Sequence, residues 1–435
     1  MIIGSGLTGC LTALCLRHRW DQRRRSDDNQ PAVSAPNNKQ QRPLVMEVVE
    51  RATYPAGRFG ARACHGSNTA DLGAQVLSTV NPHDFRARGG QNVTPPDIRR
   101  AYQIVQELCS SDDEGEKILE MVPNECLGAT QERMIWEGLW EHYTPGKRGM
   151  SHVLERLLEW ARVKPRFGVR IDSLHRDNDR IRVEGVCRAL TNNAHPISKC
   201  YNERFDAVIV CIPAPDALKL SNITTFLSNE AVYVLRNVTY DQRICEANFF
   251  GPALQPHFRA LFSGQRKSDG DGDGVSPALH QWELNVEDLD LGIETISYQN
   301  AKHDKRTLTG ESKDTDTDAC ALVVHAQPGI QTLDKNAVVA TLSKLFHLPP
   351  HEIASHRLYQ KSIHWEHSQM IRPMEAVIAE PPSPPWQCLV GDGDGGGGGD
   401  GHNQPKLVVA GDFMTQSSFL GCVASADAAA RAILE

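Results

Sequence analysis

Hydrophobic positions along the chain fall into three patterns. Short, mainly apolar runs occur at Met1-Ile2-Ile3, at 44–50, at 205–213 and at 406–412. They read as strands, and 205–213 has the continuous apolar character of a strand buried in a parallel sheet. Helical spacing marks the second pattern: Leu11, Ala13, Leu14 and Leu16; Ile98, Tyr102, Val105 and Leu108 within 97–120; and Val153, Leu154, Leu157, Leu158 and Ala161 from Ser151 onward. An alanine-rich helix is predicted from Gly421 to the C-terminus. The third pattern is a strand pair, 166–171 with 181–186, turned at Asp177-Asn178-Asp179. From 216 to 404, strand-like segments at 247–250, 294–298 and 321–325 alternate with polar stretches.

The apolar runs return to one sheet near 210 and again near 408, so separated segments build one domain. The prediction is an α/β domain of 1–85, 150–215 and 405–435, with an α+β domain of 86–149 and 216–404 beside it. Polar, aperiodic segments interrupt both. Residues 20–43 carry Arg23-Arg24-Arg25 and read as a disordered insertion between the first helix and second strand, where added length costs little. Residues 264–275, 301–318 and 391–404, rich in Gly, Asp, Lys and Thr, read as flexible insertions. Asp269-Gly270-Asp271-Gly272-Asp273 echoes a calcium loop but lacks the closing glutamate, so no metal is expected.

Composition narrows the picture. A length of 435 residues favours two or three domains, and 40% hydrophobic residues supply a sizeable core. The net charge of −8 argues against general affinity for nucleic acid or acidic membranes, leaving the arginine run as a solvated loop. Twelve cysteines lie singly with no C-x-x-C pair, which fits a reducing compartment and neither a zinc site nor a disulfide framework. The sequons at Asn92, Asn222 and Asn237 are then chance matches. No stretch reaches 18 uninterrupted apolar residues, so no membrane span is expected. A cytoplasmic protein is the expectation. Only three residues precede Gly4, fewer than a typical strand of about 5–6, so either this strand is short or a further segment, with any targeting signal, precedes it.

Candidate chemistry begins where the first strand meets the first helix. Gly4, Gly6 and Gly9 form Gly-x-Gly-x-x-Gly, with Leu7 and Thr8 opening the helix. Gly4 permits the turn, Gly6 lets a pyrophosphate approach the backbone, and Gly9 lets helix and strand pack closely. The helix N-terminus adds free N–H groups and a partial positive charge. An acid should end the next strand to bind ribose hydroxyls. Glu50 does so, followed by Arg51, at roughly twice the usual spacing of about 20 residues. An acid there favours FAD or NAD over NADP. Arg58, after the small-residue turn Pro55-Ala56-Gly57, suits phosphate oxygens. Gly411-Asp412 ends the last strand before a second helix, whose dipole would favour negative charge on a reduced flavin.

These pieces together resemble the renalases, flavoproteins related to the amine oxidases. The resemblance rests on the Gly4/Gly6/Gly9 motif, Gly57-Arg58, Thr69-Ala70-Asp71-Leu72-Gly73-Ala74-Gln75 and Pro213-x-Pro215. It continues through Trp365-x-His367-Ser368-Gln369 and Gly411-Asp412-x-x-Thr415-Gln416-Ser417-x-Phe419-x-Gly421-Cys422. It implies a discontinuous FAD-binding Rossmann-like domain with an α+β substrate domain, a p-hydroxybenzoate-hydroxylase-like architecture. It also implies a reaction: hydride passes from dihydronicotinamide isomers of NAD(P)H to flavin N5, and O2 reoxidises the flavin to give H2O2. By position, Gly73, Ala74 and Gln75 would line the flavin, Val169 would pair with adenine, and Asp412 would hold the ribityl chain. Gly421 and Cys422 would sit by the pyrimidine end. Ser417-Ser418 stand where covalent amine oxidases use cysteine, so attachment should be non-covalent.

On the substrate side the resemblance points to Arg243, His325, Trp365 and His367. Hydride transfer between stacked rings needs alignment more than an acid or base, so no catalytic triad is required. Two departures stand out: Ala56 replaces a glycine of the family's Gly-Gly-Arg, and Glu294 stands where arginine is common. Two other readings compete, an FAD-dependent amine oxidase and a degenerate flavoprotein without catalysis. The resemblance leaves the preferred isomer and the oligomeric state open.

Overall fold

The computed structural model describes residues 1–28, 43–83, 96–110, 117–122, 140–188, 199–263, 282–303, 319–372, 389–390, 405–414 and 417–435. The chain divides into two compact units. The first comprises Met1–Gly57, Leu154–Thr239 and Met370–Glu435; the second comprises Arg58–Val153 and Tyr240–Gln369.

The first unit is built on a six-stranded sheet. Its spatial order is Leu389–Val390, Lys406–Val409, Ala207–Val210, Ile2–Ile3, Val48–Glu50 and Arg166–Phe167. All neighbours pair in parallel except Leu389–Val390, which runs antiparallel to Lys406–Val409. Only two residues long, the Ile2–Ile3 strand is held on both sides, with Ile2 opposite Val48 and Ile209. These side chains are buried, as an apolar parallel strand requires. The expected strand at 44–50 forms only over Val48–Glu50; Val45 is 83% exposed.

Two expectations for this unit are corrected. The first helix runs Leu7–Asp28, so residues 20–28 are helical and not part of a disordered insertion. Their apolar periodicity is weak because electrostatics anchors them. Arg19 binds Asp427 of the helix Phe419–Leu434 at 2.9 and 2.7 Å, and Arg23 donates to the Leu434 carbonyl. The arginine run also lies near the helix C-terminus, where the dipole favours cations. Residues 29–42 fall outside the described residues. The second correction concerns 166–171. Gly168, at φ +71°, splits it: Arg166–Phe167 joins the parallel sheet, while Val169–Asp177 pairs with Arg180–Cys187 in a separate sheet completed by Lys199–Phe205.

The second unit carries a five-stranded antiparallel sheet in the order Glu283–Asn285, Ile293–Tyr298, Cys320–Ala326, Arg243–Phe250 and Arg357–Trp365. Alternation along its strands separates two faces. Ile296, Tyr298, Leu322, Val324 and Phe250 pack with Phe258 and Phe262 of the helix Gln255–Phe262 and with Val338 and Leu342 of Ala337–Phe346. Cys245, Ala247, Phe249, Ala321 and Val323 pack with Ala61, Ala63, Ala70 and Leu72, from the hairpin of Arg62–His65 and Asn68–Asp71 and the residues on either side of it. A smaller sheet, Leu77–Val80, Trp140–Pro145 and Leu119–Val122, adjoins the helix Pro96–Cys109.

Here too the structure corrects the sequence. The helix expected over 97–120 ends at Cys109, before a polar run, and Leu119–Val122 is a strand. Residues 301–303 were expected in a flexible insertion but complete the helix Gln299–His303, with Lys302 fully buried. Residues 264–275, 304–318 and 391–404, including the Asp269–Asp273 repeat, lie outside the described residues. Among the described residues no helix is long and apolar enough to cross a membrane, and no cluster of ligating side chains could hold a metal.

Candidate functional site

In the first unit the three motif glycines have different neighbours. Gly4 has φ +98°, and a Cβ there would lie 2.7 Å from the Cys211 carbonyl oxygen. A Cβ on Gly9 would lie 2.0 Å from the Gly4 carbonyl oxygen. Packing therefore demands both. A Cβ on Gly6 would meet nothing within 4 Å, so the missing side chain there leaves an open approach to the backbone. Leu7 and Thr8 form the buried first helical turn, where the Thr8 carbonyl accepts the Thr12 hydroxyl at 2.8 Å.

Glu50 closes the same loop. Its Oε2 accepts the Ser5 amide at 2.9 Å and the Ser5 hydroxyl at 3.1 Å, and its Oε1 accepts the Ala52 amide at 3.0 Å. The side chain is 8% exposed. Glu50 thus ties the end of the second strand to the glycine turn, and Arg51 beside it is exposed. Ala56 raises no conformational difficulty: the left-handed position is Gly57, at φ +64°, whose Cβ would come 3.3 Å from the Gly6 Cα.

The chain's last strand contributes to the same edge. Lys406–Val409 and Ile2–Ile3 flank Ala207–Val210 in parallel, so the turns after both, with their helices, leave the sheet at its carboxyl end. The helices Leu7–Asp28 and Phe419–Leu434 pack together. Gly411 donates its amide to Ser425 Oγ at 3.0 Å, and the Asp412 carboxylate accepts the Ser417 hydroxyl at 2.8 Å. Ser418 caps the last helix, its Oγ accepting the Gly421 amide at 3.1 Å and its carbonyl accepting the Cys422 amide at 3.0 Å. Those two amides are engaged within the turn, and Cys422 is buried. Val169 is buried at the start of its strand, opposite Cys187. Thr415 and Gln416 lie outside the described residues.

In the second unit, Gly73 and Ala74 are half-buried and meet Arg58 through the backbone. The Ala74 amide donates to the Arg58 carbonyl at 3.0 Å, and a Cβ on Gly73 would lie 2.1 Å from that oxygen. The Arg58 guanidinium donates to the Ser368 carbonyl at 3.1 Å and stands 5.4 Å from the Tyr240 ring centre. The same ring packs on His367 at 5.1 Å between centroids. The structure thus gathers Arg58, Tyr240 and His367.

A second group collects Arg243, His325 and Trp365. Arg243 lies opposite Trp365 in register and binds two acids, Asp241 and Glu294, each at 3.0 Å. Glu294, at a position where the resemblance implies arginine, is thus a second acid on Arg243. His325 Nδ1 is 3.3 Å from the Thr295 hydroxyl. Burial, reinforced by Arg243 and Lys302, pushes its pKa down to about 4, so the ring is neutral at pH 7. The Trp365 indole donates to the Leu72 carbonyl at 3.1 Å and packs on the apolar face around Ala247.

Gln75 turns inward. Its amide donates to the carbonyls of Asp71 at 2.6 Å and Gly73 at 3.1 Å, while its oxygen accepts Gln299 at 3.0 Å. Its neighbours form a buried charge cluster absent from the sequence-derived candidates: Asp71, Lys302, His303 and Glu283. Burial would raise the Asp71 pKa, but the Lys302 ammonium and the His303 contact together hold it well below the carboxylate range. Burial lowers the Lys302 and His303 pKa values against the pull of Asp71. Glu283 is pushed up to about 7 by burial, with Lys302 opposing, and its Oε2 has no hydrogen-bond partner among the described residues. Asp71 was visible as the acid in a run of small residues. Its lysine lies 231 positions away, and no local pattern marks it.

No protein-family profile matches the chain. Among solved structures it is similar to a provisionally assigned protoporphyrinogen oxidase from Exiguobacterium sp. 255-15, at 14% identity and TM-score 0.49, over 99% of this chain and 97% of that one. It is likewise similar to cyclohexylamine oxidase from Brevibacterium oxydans IH-35A, at 13% identity and TM-score 0.49, with the same coverage. At that distance neither likeness carries a residue role or an activity across.

Proposed function

We propose that the first unit binds FAD and that the chain is a flavin oxidase of the renalase type, acting on dihydronicotinamide isomers of NAD(P)H. In this reading the first unit is the Rossmann-like nucleotide domain and the second the substrate domain of a p-hydroxybenzoate-hydroxylase-like architecture. The observation that carries the reading is the division among the glycines: packing fixes Gly4 and Gly9, whereas Gly6 is bare toward open space. Beside it stand a helix N-terminus and the Glu50 carboxylate, which still has acceptor capacity for ribose hydroxyls. This donor set fits a dinucleotide. Gly4, Gly6, Leu7, Thr8 and Gly9 would hold the pyrophosphate, Glu50 the ribose and Asp412 the ribityl hydroxyls.

Bound FAD supplies a two-electron acceptor that O2 reoxidises. The chain's own part is alignment. Gly73 and Ala74 present backbone with little bulk, and Arg58 offers a guanidinium whose direction is fixed by Ser368 and Tyr240. His325, neutral at pH 7, and Arg243, paired with both Asp241 and Glu294, leave this part of the substrate unit without net positive charge. That arrangement suits a neutral dihydronicotinamide ring, whose hydride transfer requires no proton removal.

The test is spectroscopic. Purified protein supplied with FAD should show a bound-flavin spectrum, bleach anaerobically with the dihydronicotinamide isomers, and recover in air with release of H2O2. Absence of bound flavin overturns the cofactor reading. Bound flavin that bleaches only with amines replaces the substrate reading with that of an amine oxidase.

A further inference from the structure

The segment 71–75 is gripped from within by buried charge. Asp71 Oδ1 accepts the Met150 amide at 2.9 Å, at the start of the helix Met150–Trp160. Gly149 makes room for it, since a Cβ there would lie 2.4 Å from that oxygen. Asp71 Oδ2 receives Lys302 Nζ at 2.8 Å and His303 Nε2 at 3.0 Å. The Lys302 ammonium also reaches Gln75 Oε1 at 3.2 Å, with the Trp282 ring centre at 5.8 Å. One ammonium therefore touches both ends of the five-residue segment, and the Gln75 amide ties its middle through the Gly73 carbonyl. On the segment's other side, the Ala74 amide and the bare Gly73 fix where the Arg58 carbonyl sits.

Stability alone does not account for this cluster. Replacing a buried ion pair with apolar residues is often neutral or stabilising, so what such a pair can add is a defined geometry. We propose that Lys302 is a positioning residue: by clamping Asp71 and Gln75 it sets the Gly73–Ala74 backbone and, through the Ala74–Arg58 hydrogen bond, the origin of the Arg58 side chain before any ligand arrives. Its bearing on function rests on the reading that Gly73, Ala74 and Arg58 face FAD. The Lys302 side chain is itself fully buried.

The experiment compares the full-length protein with Lys302→Met and with the double variant Asp71→Asn/Lys302→Met. It measures thermal unfolding, hydrogen exchange of the Ala74 and Met150 amides in flavin-free protein, and FAD affinity by fluorescence titration. Lys302→Met should unfold at lower temperature, because a buried carboxylate loses its partner. The double variant should regain most of that loss. It should nonetheless exchange the Ala74 amide roughly tenfold faster than wild type and bind FAD roughly tenfold more weakly, the scale expected when a structural coupling is removed. A double variant that matches wild type in both exchange and affinity overturns the proposal. Should wild type bind no FAD, the cofactor reading fails, and the exchange comparison alone decides this one. If neither Lys302 variant folds, Gln75→Met leaves the ion pair whole and removes the far end of the clamp. Faster Ala74 exchange in that variant supports the proposal, and unchanged exchange overturns it.

Discussion

The two units place polarity in opposite ways. The first makes its candidate site from what is absent: bare glycine backbone, helix N-termini and one carboxylate at the edge of an apolar parallel sheet. The second buries charge, with Asp71, Lys302, His303 and Glu283 enclosed beside an antiparallel sheet. A site of the first kind is made by local chain geometry and tolerates little added volume. One of the second kind is made by long-range pairing and tolerates little loss of charge. Substitutions should therefore fail differently in the two units.

The largest effect is expected at Lys302. Lys302→Met strands a buried carboxylate, a change that costs about 3–5 kcal/mol where it has been measured in other proteins. The pH dependence sharpens the comparison. Because the folded Asp71 carboxyl titrates below its unfolded counterpart, its stabilisation is complete above the unfolded pKa of about 4 and fades as pH falls below it. Chemical unfolding of wild type and the double variant between pH 7 and pH 3 checks this: wild type should lose stability more steeply.

Next comes Gly9. A Cβ 2.0 Å from a backbone oxygen finds no relief in a side-chain rotamer, so the first helix must move away from its strand. Gly9→Ala should cost about 3 kcal/mol, the upper range for overpacking, as read from the denaturation midpoint. A Gly9→Ala protein as stable as wild type would break the claim that packing, and not a ligand, fixes this position.

That contrast also explains how much could be read from sequence. The first unit was legible because its determinants are local: a strand, three glycines at fixed spacing, a helix, then an acid ending the next strand. Even there, residues 20–28 were misread, since their helix is anchored by Arg19 on Asp427, 408 positions away. In the second unit the strands around Ala247, Glu294 and Ala321 were visible as strand-like segments between polar stretches. The charge cluster was not, because Lys302 stands at the start of a polar segment, 301–318, that reads as loop, and only the fold carries it to Asp71. Glu294 read alone as a reversed charge; in the fold it is one of two acids, with Asp241, that pair with the single Arg243 guanidinium.

Glu283 offers a moderate effect of opposite sign to Asp71. Its folded pKa, near 7, lies above the unfolded value of about 4.3, so the folded state holds the extra proton. Stability should therefore fall as pH rises from about 4 through 7. Glu283→Gln removes that slope, and at pH 8 it should exceed wild type by about 3–4 kcal/mol in urea unfolding, with no gain at pH 4. Equal stability at both pH values would show that the folded state does not hold Glu283 protonated.

The smallest effect on stability is expected at Gly6, where it discriminates most. A methyl group there meets nothing within 4 Å, so Gly6→Ala should change unfolding by no more than about 0.5 kcal/mol. The same methyl would occupy the space through which a pyrophosphate reaches the backbone amides, so FAD affinity should fall roughly tenfold or more. Gly9→Ala and Gly6→Ala thus add the same atom to one six-residue motif with opposite outcomes, one destabilising the unit and the other silencing it. If Gly6→Ala instead lowers stability while flavin affinity holds, the open face at Gly6 serves the packing of the chain, and the glycine division loses its meaning as a binding signature.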